Sequence, residues 1–174
     1  MSSQLRVDKI LPVDGAPTSG GGGIIQVVQT TKTDTFNTAA TSFTDITGLS
    51  ATITPKFSTS KILFQYCVSY SHRNCYAYFQ LVRGSTPIFI ADASSNRQRT
   101  TFGTWSNNDD GDYLTHLFSG LYLDSPATTS ATTYKVQTFA QTSSSIWINR
   151  SKGDDDATYE PRQASNIILM EVSA

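Results

Sequence analysis

The sequence predicts an all-β fold, an antiparallel β-sandwich or jelly roll, on three observations. The 174-residue chain is rich in Ser, Thr, Val, Ile and aromatic residues, which suit a pleated surface. Apolar residues alternate with polar ones over about ten short segments, so one face of each strand turns to a core. Turn-forming residues separate these segments at intervals of roughly 8–12 residues, as in sandwiches and jelly rolls. The length suits a single domain.

The predicted body spans residues 24–174, and strand-like segments follow one another along it. The clearest is KILFQYCVSYS (61–71), whose alternate residues place apolar side chains on both faces. Because both faces are largely apolar, we expect this strand to lie centrally in the sandwich. The other predicted strands are IIQVVQT (24–30), short segments at Phe36 and at residues 43–46, LSATI (49–53), YAYFQLVRG (76–84), PIFIA (87–91), TFGTW (101–105), SIWIN (145–149) and SNIILMEVS (165–173).

Residues 117–140 carry the clearest pair of strands, LFSGLYLDSPATTSATTYKVQTFA. Phe118, Leu121 and Leu123 are the apolar residues of the first run, and Tyr134 and Val136 alternate with polar residues in the second. A Pro- and Thr-rich connection separates the two runs. The pattern predicts two half-buried strands that pair as a hairpin.

The N-terminal residues read as an attachment arm (1–18) joined to the body by a Gly-rich hinge (19–23). Prolines 12 and 17 exclude a helix, and four consecutive glycines make the joint flexible. One interpretation is a disordered tail; we prefer an anchor that orders when it docks on another protein, since a solvating tail needs no apolar pattern. The predicted attachment residues are Leu5, Val7, Ile10, Leu11 and Val13.

Charge and hydropathy exclude several classes of partner. The formal net charge is −1, from 13 basic and 14 acidic residues spread along the chain, so we expect neither nucleic acid nor anionic lipid as a partner. The N-terminus lacks the apolar core of a signal peptide, and no apolar run is long enough to span a bilayer. The sequence therefore predicts a soluble protein made in the cytoplasm, without membrane insertion.

The sequence offers no catalytic apparatus, metal site or cofactor site. Cys67 and Cys75 are best explained as free thiols, although two opposed strands could let them bridge. With His72 and His116 as the only histidines, a zinc site is not expected. Acidic turns at 109–112 and 154–156 could hold calcium, but solvated turns are the commoner reason for such residues. Neither a nucleophile elbow nor a phosphate-binding loop occurs.

Exposed aromatic residues are better functional candidates. Rings close to Asn, Asp and Arg suit sugar faces and protein interfaces alike, although core or interface packing is the commoner fate of each ring. The candidate receptor-binding residues are Trp105, Asn107, Tyr113 and Tyr159.

The last strand predicts self-association. Ile168, Met170 and Val172 point one way, while Ile167 and Leu169 point the other. The sandwich can cover only one of these apolar faces. We therefore expect the first three residues to contact a neighbouring subunit.

Longer segments carry a resemblance to a known family. In order, the chain contains LRVDKILPVDG, a Gly run, IIQVVQTTKTDTF, FTDITGLSATITP, SKILFQYCVS, RGSTPI, LYLDSPATTSATTYKVQ, INRS and SNIILMEVSA. Together these resemble a family of bacteriophage virion proteins, frequent among phages of marine and freshwater bacteria, including cyanophages. Members are usually described as tail-fibre or other virion structural proteins. The most specific segments are LDSPATTSATTYKVQ and the LRVDKI arm.

The resemblance implies a non-enzymatic virion protein, assembled in the host cytoplasm, with a β-sandwich that is TNF/C1q-like in outline and homotrimeric. Its N-terminal arm would attach it to other virion proteins of the tail, portal-adaptor or capsid. Unlike long fibres, this chain has no shaft of repeats or heptads, which indicates a short tail fibre, a knob, or a capsid or tail decoration. The alternative is a receptor-binding adhesin for a host surface glycan; a glycan-degrading enzyme is the least favoured hypothesis.

Overall fold

The computed structural model describes residues 23–107, 112–142 and 144–173, which form two antiparallel sheets around one core. No helix occurs in this part of the chain, so the predicted all-β class is confirmed. The strands are β1 (Ile24–Lys32), β2 (Phe36–Thr38), β3 (Thr44–Ile53), β4 (Lys61–His72), β5 (Cys75–Arg83), β6 (Thr86–Ile88), β7 (Phe102–Ser106), β8 (His116–Asp124), β9 (Thr132–Ala140), β10 (Ile146–Ile148) and β11 (Ser165–Val172).

The first sheet is built around β4, as predicted. One edge of β4 pairs with β8, and the other pairs with β11 and then with β10. β1 flanks β11, and β2 flanks β10. The inward residues of β4 are buried because the second sheet covers them, whereas the outward residues from Leu63 to Cys67 are only half-buried.

The second sheet has the order β3, β9, β5, with β7 and β6 sharing the far edge of β5. Four of the antiparallel pairings are nested along the chain: β1 with β11, β3 with β9, β4 with β8 and β5 with β7. Successive pairs fall alternately in the first and second sheets. The β-sandwich is thus confirmed, while the jelly roll stays a prediction that this nesting favours.

The predicted hairpin at residues 117–140 is wrong, although both of its strands exist. β8 pairs with β4 in the first sheet, and β9 lies between β3 and β5 in the second. The connection 125–131 therefore crosses between sheets. Alternation reports which face of a strand is buried and contains no information about its partner, and no two-residue turn signal fixed a register here.

The apolar residues of β8 also divide between its two faces. Phe118 is buried, whereas Leu121 and Leu123 are 58% and 46% exposed. The inward positions between and after them are Gly120, Tyr122 and Asp124, since alternate residues share a face. The outer face of this strand is therefore more apolar than a solvated sheet requires.

Aromatic rings fill the space between the sheets. The Phe64 ring of β4 meets the Tyr134 ring of β9 edge-on at 5.6 Å between centroids. The Phe79 ring of β5 stacks on Phe118 of β8 at 5.1 Å. These contacts join strands of opposite sheets, and such ring pairs contribute about 0.5–1.5 kcal/mol each beyond their buried area.

The segment between β10 and β11 is folded around a buried carboxylate. Glu160 is buried and accepts hydrogen bonds from the Ser151 hydroxyl and from the backbone N–H of Asp155, the latter at 3.2 Å. A carboxylate that accepts several donors fixes the path of the chain around it. This segment is therefore ordered by its own polar contacts.

Candidate functional site

The outer face of the first sheet carries a continuous apolar row. Leu123 of β8 lies opposite Leu63 of β4, which lies opposite Met170 of β11, which in turn lies opposite Val27 of β1. Val27 is 58% exposed, and Leu63 and Met170 are half-buried. Residues directly opposite across strands are in side-chain contact range, so these four form one apolar surface.

Neighbouring positions extend this row into a patch at one end of the sheet. Leu121, Ile168 and Val172 lie beside it on the same outer face. We call the following residues the apolar patch: Val27, Leu63, Leu121, Leu123, Ile168, Met170 and Val172. Gln65 lies between Leu121 and Ile168, and towards the other end of the sheet the outward positions are mostly polar, with Ser119, Asn166 and Thr31, although Leu117 is exposed there as well.

The predicted oligomer-interface residues all fall within the apolar patch. Ile168, Met170 and Val172 are half-buried on its outer side, and Ile167 and Leu169 are fully buried beneath it. Sequence reasoning missed the leucines of β4 and β8 because it did not place β4, β8 and β11 side by side. Their signal was the outward apolar alternation of β8, which reads as ordinary strand patterning in isolation. Contact with a second subunit stays a prediction.

The outer face of the second sheet carries five aromatic rings in contact, which we call the ring ladder. Trp105 lies 4.6 Å from Tyr76 between centroids, and Tyr76 lies 6.0 Å from Tyr78 with ring planes only 6° apart. Tyr78 lies 4.8 Å from Phe139, which meets Phe43 edge-on at 4.7 Å. The strand register produces this order, because Tyr76 opposes Trp105 and Tyr78 opposes Phe139.

Gly103 fixes the position of the Tyr78 ring. The two residues are opposite each other on β7 and β5, and a Cβ on Gly103 would lie 2.7 Å from the Tyr78 ring. The ring therefore occupies the space that any other residue would fill, as aromatic rings do beside strand glycines. The hydroxyl at the other end of the Tyr78 side chain donates a hydrogen bond to Oε1 of Gln141 at 2.8 Å. Burial, and then the neighbouring Tyr76 phenol, raise the pKa of Tyr78.

A groove of about 770 Å³ lies against the ring ladder. Phe43, Tyr76, Tyr78 and Phe139 line it together with polar residues from segments 41–42 and 96–98 and with Gln141. This volume lies within the range of small-molecule sites, about 300–1,000 Å³. None of the residues that line the groove carries a carboxylate, and one, Arg97, is basic.

The loop that carries residues 96–98 is tied at its base. The backbone N–H of Ala91 donates to the Thr100 carbonyl at 3.3 Å, and the Arg99 guanidinium donates to the Ala91 carbonyl at 2.7 Å. The backbone N–H of Thr101 donates to the Phe79 carbonyl of β5 at 3.0 Å. These bonds hold the loop against β5, so its tip is presented at a set distance from the ring ladder.

A chain of polar side chains continues the same outer face. Nε2 of Gln80 donates to Gln137 at 2.6 Å, and Nε2 of Gln137 donates to Asp45 at 2.6 Å. Nζ of Lys135 also donates to Asp45, at 2.8 Å. Burial raises the pKa of Asp45, but the hydrogen bonds from Lys135 and Gln137 outweigh it and the pKa is lowered. This chain fastens β3 to β9 and β5 across the irregular register of β3.

The four predicted receptor-binding residues separate into different places. Trp105 belongs to the ring ladder, whereas Tyr113 and Tyr159 form an edge-on pair at 5.2 Å, both more than half exposed. Nζ of Lys152 donates to Asp112 at 3.0 Å, which secures the segment before Tyr113. Asn107 is exposed at the end of β7. Tyr76 and Tyr78 are also among the exposed aromatic residues that the sequence indicates, whereas Phe139 and Phe43 were missed, since only strand register reveals that they adjoin Tyr78.

The acidic turns hold ion pairs. Asp154 pairs with Arg150 and Arg162, at 3.0 Å each. Within residues 23–107, 112–142 and 144–173, no group of three or more His, Cys, Asp or Glu side chains could hold a metal ion. Both cysteines are free thiols, Cys67 half-buried and Cys75 fully buried. Burial raises the pKa of the Cys75 thiol.

The arm residues Leu5 to Val13 and hinge residues 19–22 lie outside the described residues, so the anchor stays a prediction. Neither a protein-family model nor, at a significant level, any curated protein matches the chain. The described residues contain no helix of the length and hydropathy that crossing a membrane requires.

Proposed function

We propose that the chain is a structural protein of a phage particle: a short tail fibre, a knob, or a capsid or tail decoration. Its body assembles through the apolar patch into a homotrimer, and its N-terminal arm attaches the assembly to other virion proteins. The observation that carries this proposal is the apolar patch itself. Contiguous apolar surface on a soluble protein marks an interaction site, because leaving it in water costs about 25 cal/mol per Å².

A second copy of this chain is the occupant that we propose for the patch. The patch extends across four strands of one rigid sheet, so it offers a flat, preorganised surface to a subunit of the same shape. Three copies are proposed on the resemblance of LDSPATTSATTYKVQ and the other quoted segments to virion proteins with trimeric sandwiches. The nested strand pairing supports a jelly-roll body of the same outline.

The position of Gly23 supports attachment through the arm. The carbonyl of Gly23 accepts a hydrogen bond from the backbone N–H of Ser173 at 2.9 Å, so the chain enters β1 beside the end of β11. Val172 of the apolar patch lies at this same end of the sheet. In a symmetric trimer the three arms then start close together, and three linked anchors hold far more tightly than one.

Light scattering of the full chain tests the assembly. We expect trimers at micromolar concentration, with or without the arm, and monomers for Leu123→Asp. The matched control is Leu114→Asp, since Leu114 is similarly exposed, at 50%, but lies in the segment before β8 and outside the apolar patch. A wild-type protein that stays monomeric would refute assembly through the apolar patch.

Deletion of residues 1–18 tests the anchor. We expect a folded, still trimeric body that no longer joins the particle, and a cryo-EM map of the intact particle would show the arm inserted in a neighbouring virion protein. Incorporation of the truncated protein at the normal level would refute the anchor. It would not bear on assembly through the apolar patch.

The second candidate function is a receptor-binding adhesin for a host surface glycan. The observation that favours it is the exposure of Tyr76 and Trp105, at 42% and 47%, on a sheet face that the apolar patch does not include. Binding to host polysaccharide that is lost in Trp105→Ala or Tyr113→Ala supports this function. An enzymatic role is not proposed, since the groove lacks the carboxylate pair of a glycosidase; release of reducing ends from host envelope polysaccharide would contradict this.

A further inference from the structure

We infer that the groove against the ring ladder is a saccharide-binding site, with Tyr76 and Tyr78 as its stacking platform and the 96–98 loop tip as its polar wall. The inference deepens the adhesin candidate by giving it a site and a ligand class. It does not depend on the apolar patch, which lies on the opposite sheet.

The aromatic rings of the groove suit contact with the apolar face of a sugar. Tyr76 and Tyr78 are two apart on β5, share its outer side, and hold their rings within 6° of parallel at 6.0 Å. A pyranose presents a flat face of C–H groups that packs on an aromatic ring, and Tyr76, at 42% exposed, is the ring of this pair most open to such a contact. Trp105, at 47% exposed, extends the accessible ring surface beyond Tyr76, so the site suits an oligosaccharide better than a single sugar.

The polar residues around the platform match the hydroxyl groups of a sugar. Asn96, Gln98 and Gln141 each offer an amide donor and an amide acceptor, and a saccharide hydroxyl uses both. The Gln141 carbonyl oxygen accepts the Tyr78 hydroxyl, which orients the amide nitrogen of Gln141 for a ligand. Neutral amides with one guanidinium favour a neutral or carboxylate-bearing saccharide.

Other ligands fit the groove less well. A nucleic acid strand would stack on the rings, but its phosphates require several cations, and Arg97 is the one basic residue that lines the groove. A docked protein would favour an apolar centre ringed by polar residues, whereas here six of the ten lining residues are non-aromatic and carry amide, hydroxyl or guanidinium groups. Glycoside hydrolysis is not proposed, because a carboxylate pair does not line the groove.

The site is preorganised in the unliganded fold. Gly103 leaves room for the Tyr78 ring, and the backbone bonds of Ala91 and Thr101 hold the wall against β5. Binding therefore does not have to order a ring or a loop, which lowers its entropic cost. The same feature allows a test that changes the identity of no lining residue, since Gly103→Ala would displace the Tyr78 ring from its position in the groove.

The experiment uses the full-length protein on a printed array of bacterial and plant oligosaccharides, with affinities for the bound saccharides measured by calorimetry. Loss of one stacking ring should weaken binding roughly tenfold, so we expect this loss in Tyr76→Ala and a comparable one in Gly103→Ala. The matched control is Phe57→Ala, which removes an exposed ring outside the groove and should bind as the wild type does; Tyr159→Ala tests the separate Tyr113–Tyr159 pair. Thermal melts and light scattering establish that each variant is folded and assembled.

The outcomes separate the alternatives. If saccharides bind and Tyr159→Ala rather than Tyr76→Ala abolishes binding, the groove is refuted while the adhesin function stands. If no saccharide on the array binds, the saccharide site is refuted, and the trimer measured by light scattering is unaffected. If a short oligothymidylate binds instead and is lost in Tyr76→Ala, the groove is a nucleic-acid site and the saccharide inference fails.

Substitution of Arg97 provides a second test of the saccharide site. If the favoured saccharides carry carboxylates, Arg97→Ala should weaken those ligands selectively and leave neutral ones unchanged, because a guanidinium pairs with a carboxylate through two hydrogen bonds. Equal weakening of neutral and acidic saccharides would contradict a charge-specific role for Arg97 and assign it to general hydrogen bonding in the site.

Discussion

The Tyr134 hydroxyl donates a hydrogen bond to Oδ2 of Asp124 at 2.6 Å, and this contact ties the ends of two strands that lie in opposite sheets. Nη1 of Arg83 on β5 donates to both carboxylate oxygens of Asp124, at 2.8 Å each. Tyr134 is fully buried, and the Asp124 side chain is 5% exposed. Burial and the bond to Asp124 raise the pKa of Tyr134. The three residues thus close one end of the sandwich.

Removal of the Tyr134 hydroxyl should destabilise the fold. Tyr134→Phe leaves a buried carboxylate with one donor fewer, and hydrogen bonds to charged groups contribute about 1.5–3 kcal/mol. We expect a loss of this size in the free energy of unfolding, measured by chemical denaturation with unchanged m-value. Tyr159→Phe, which removes an exposed hydroxyl, is the control and should leave stability unchanged; equal stability of both variants would show that the Asp124 contact contributes nothing.

Gly120 is required by the ring that lies over it. It opposes Tyr66 on β4, and a Cβ at this position would lie 2.5 Å from the Tyr66 hydroxyl oxygen. Gly120→Ala should therefore cost about 1–3 kcal/mol of unfolding free energy, as overpacking of a core does. The double variant with Tyr66→Phe should recover part of the loss, because the closest atom is gone, whereas Ser119→Ala on the outer face should change little. Additive losses in the double variant would contradict this steric explanation.

The two thiols should differ in reactivity. Cys67 is half-buried on the outer face of the first sheet, and Cys75 is fully buried with a raised pKa. Iodoacetamide should label Cys67 in the folded Leu123→Asp monomer and label Cys75 only after unfolding, since the thiolate is the reactive form. If the wild type forms the proposed trimer, the labelling of Cys67 should be slower in it, because Cys67 adjoins the apolar patch. Mass spectrometry of the labelled peptides measures both rates; rapid labelling of Cys75 would show that the core opens.

Asp45 should make stability depend on pH in the acid range. Its pKa is lowered in the folded state, so its pairing with Lys135 and Gln137 stabilises the protein above the unfolded pKa of about 3.9 and is lost as pH falls through the folded value. Near neutral pH the wild type should be more stable than Asp45→Asn, by less than about 1 kcal/mol in the free energy of unfolding, as expected for an exposed ion pair. Chemical denaturation at a series of pH values measures this difference. The difference should vanish below the folded pKa. A difference that persists in acid would mean that the carboxylate charge is not its cause.

Much of the fold could be predicted because each strand carries its own signal. Residues 61–71 form the central strand that their two apolar faces predicted, and the outward placement of Ile168, Met170 and Val172 followed from alternation alone. The candidate sites were predicted less well. Trp105, Tyr76 and Tyr78 were singled out as exposed aromatic residues, but Phe139 was not, because it is an ordinary strand residue until β9 is placed beside β5.

The sequence by itself determined the all-β class, the strand positions and the buried face of most strands, since these depend on composition and on a two-residue period. Only the tertiary structure decided which strands pair. It separated β8 from β9, joined Leu63, Leu123 and Met170 into one patch, and joined the rings of Tyr76, Tyr78 and Trp105 into another. Pairing between distant strands depends on the burial of all faces at once, and a local pattern does not contain that information.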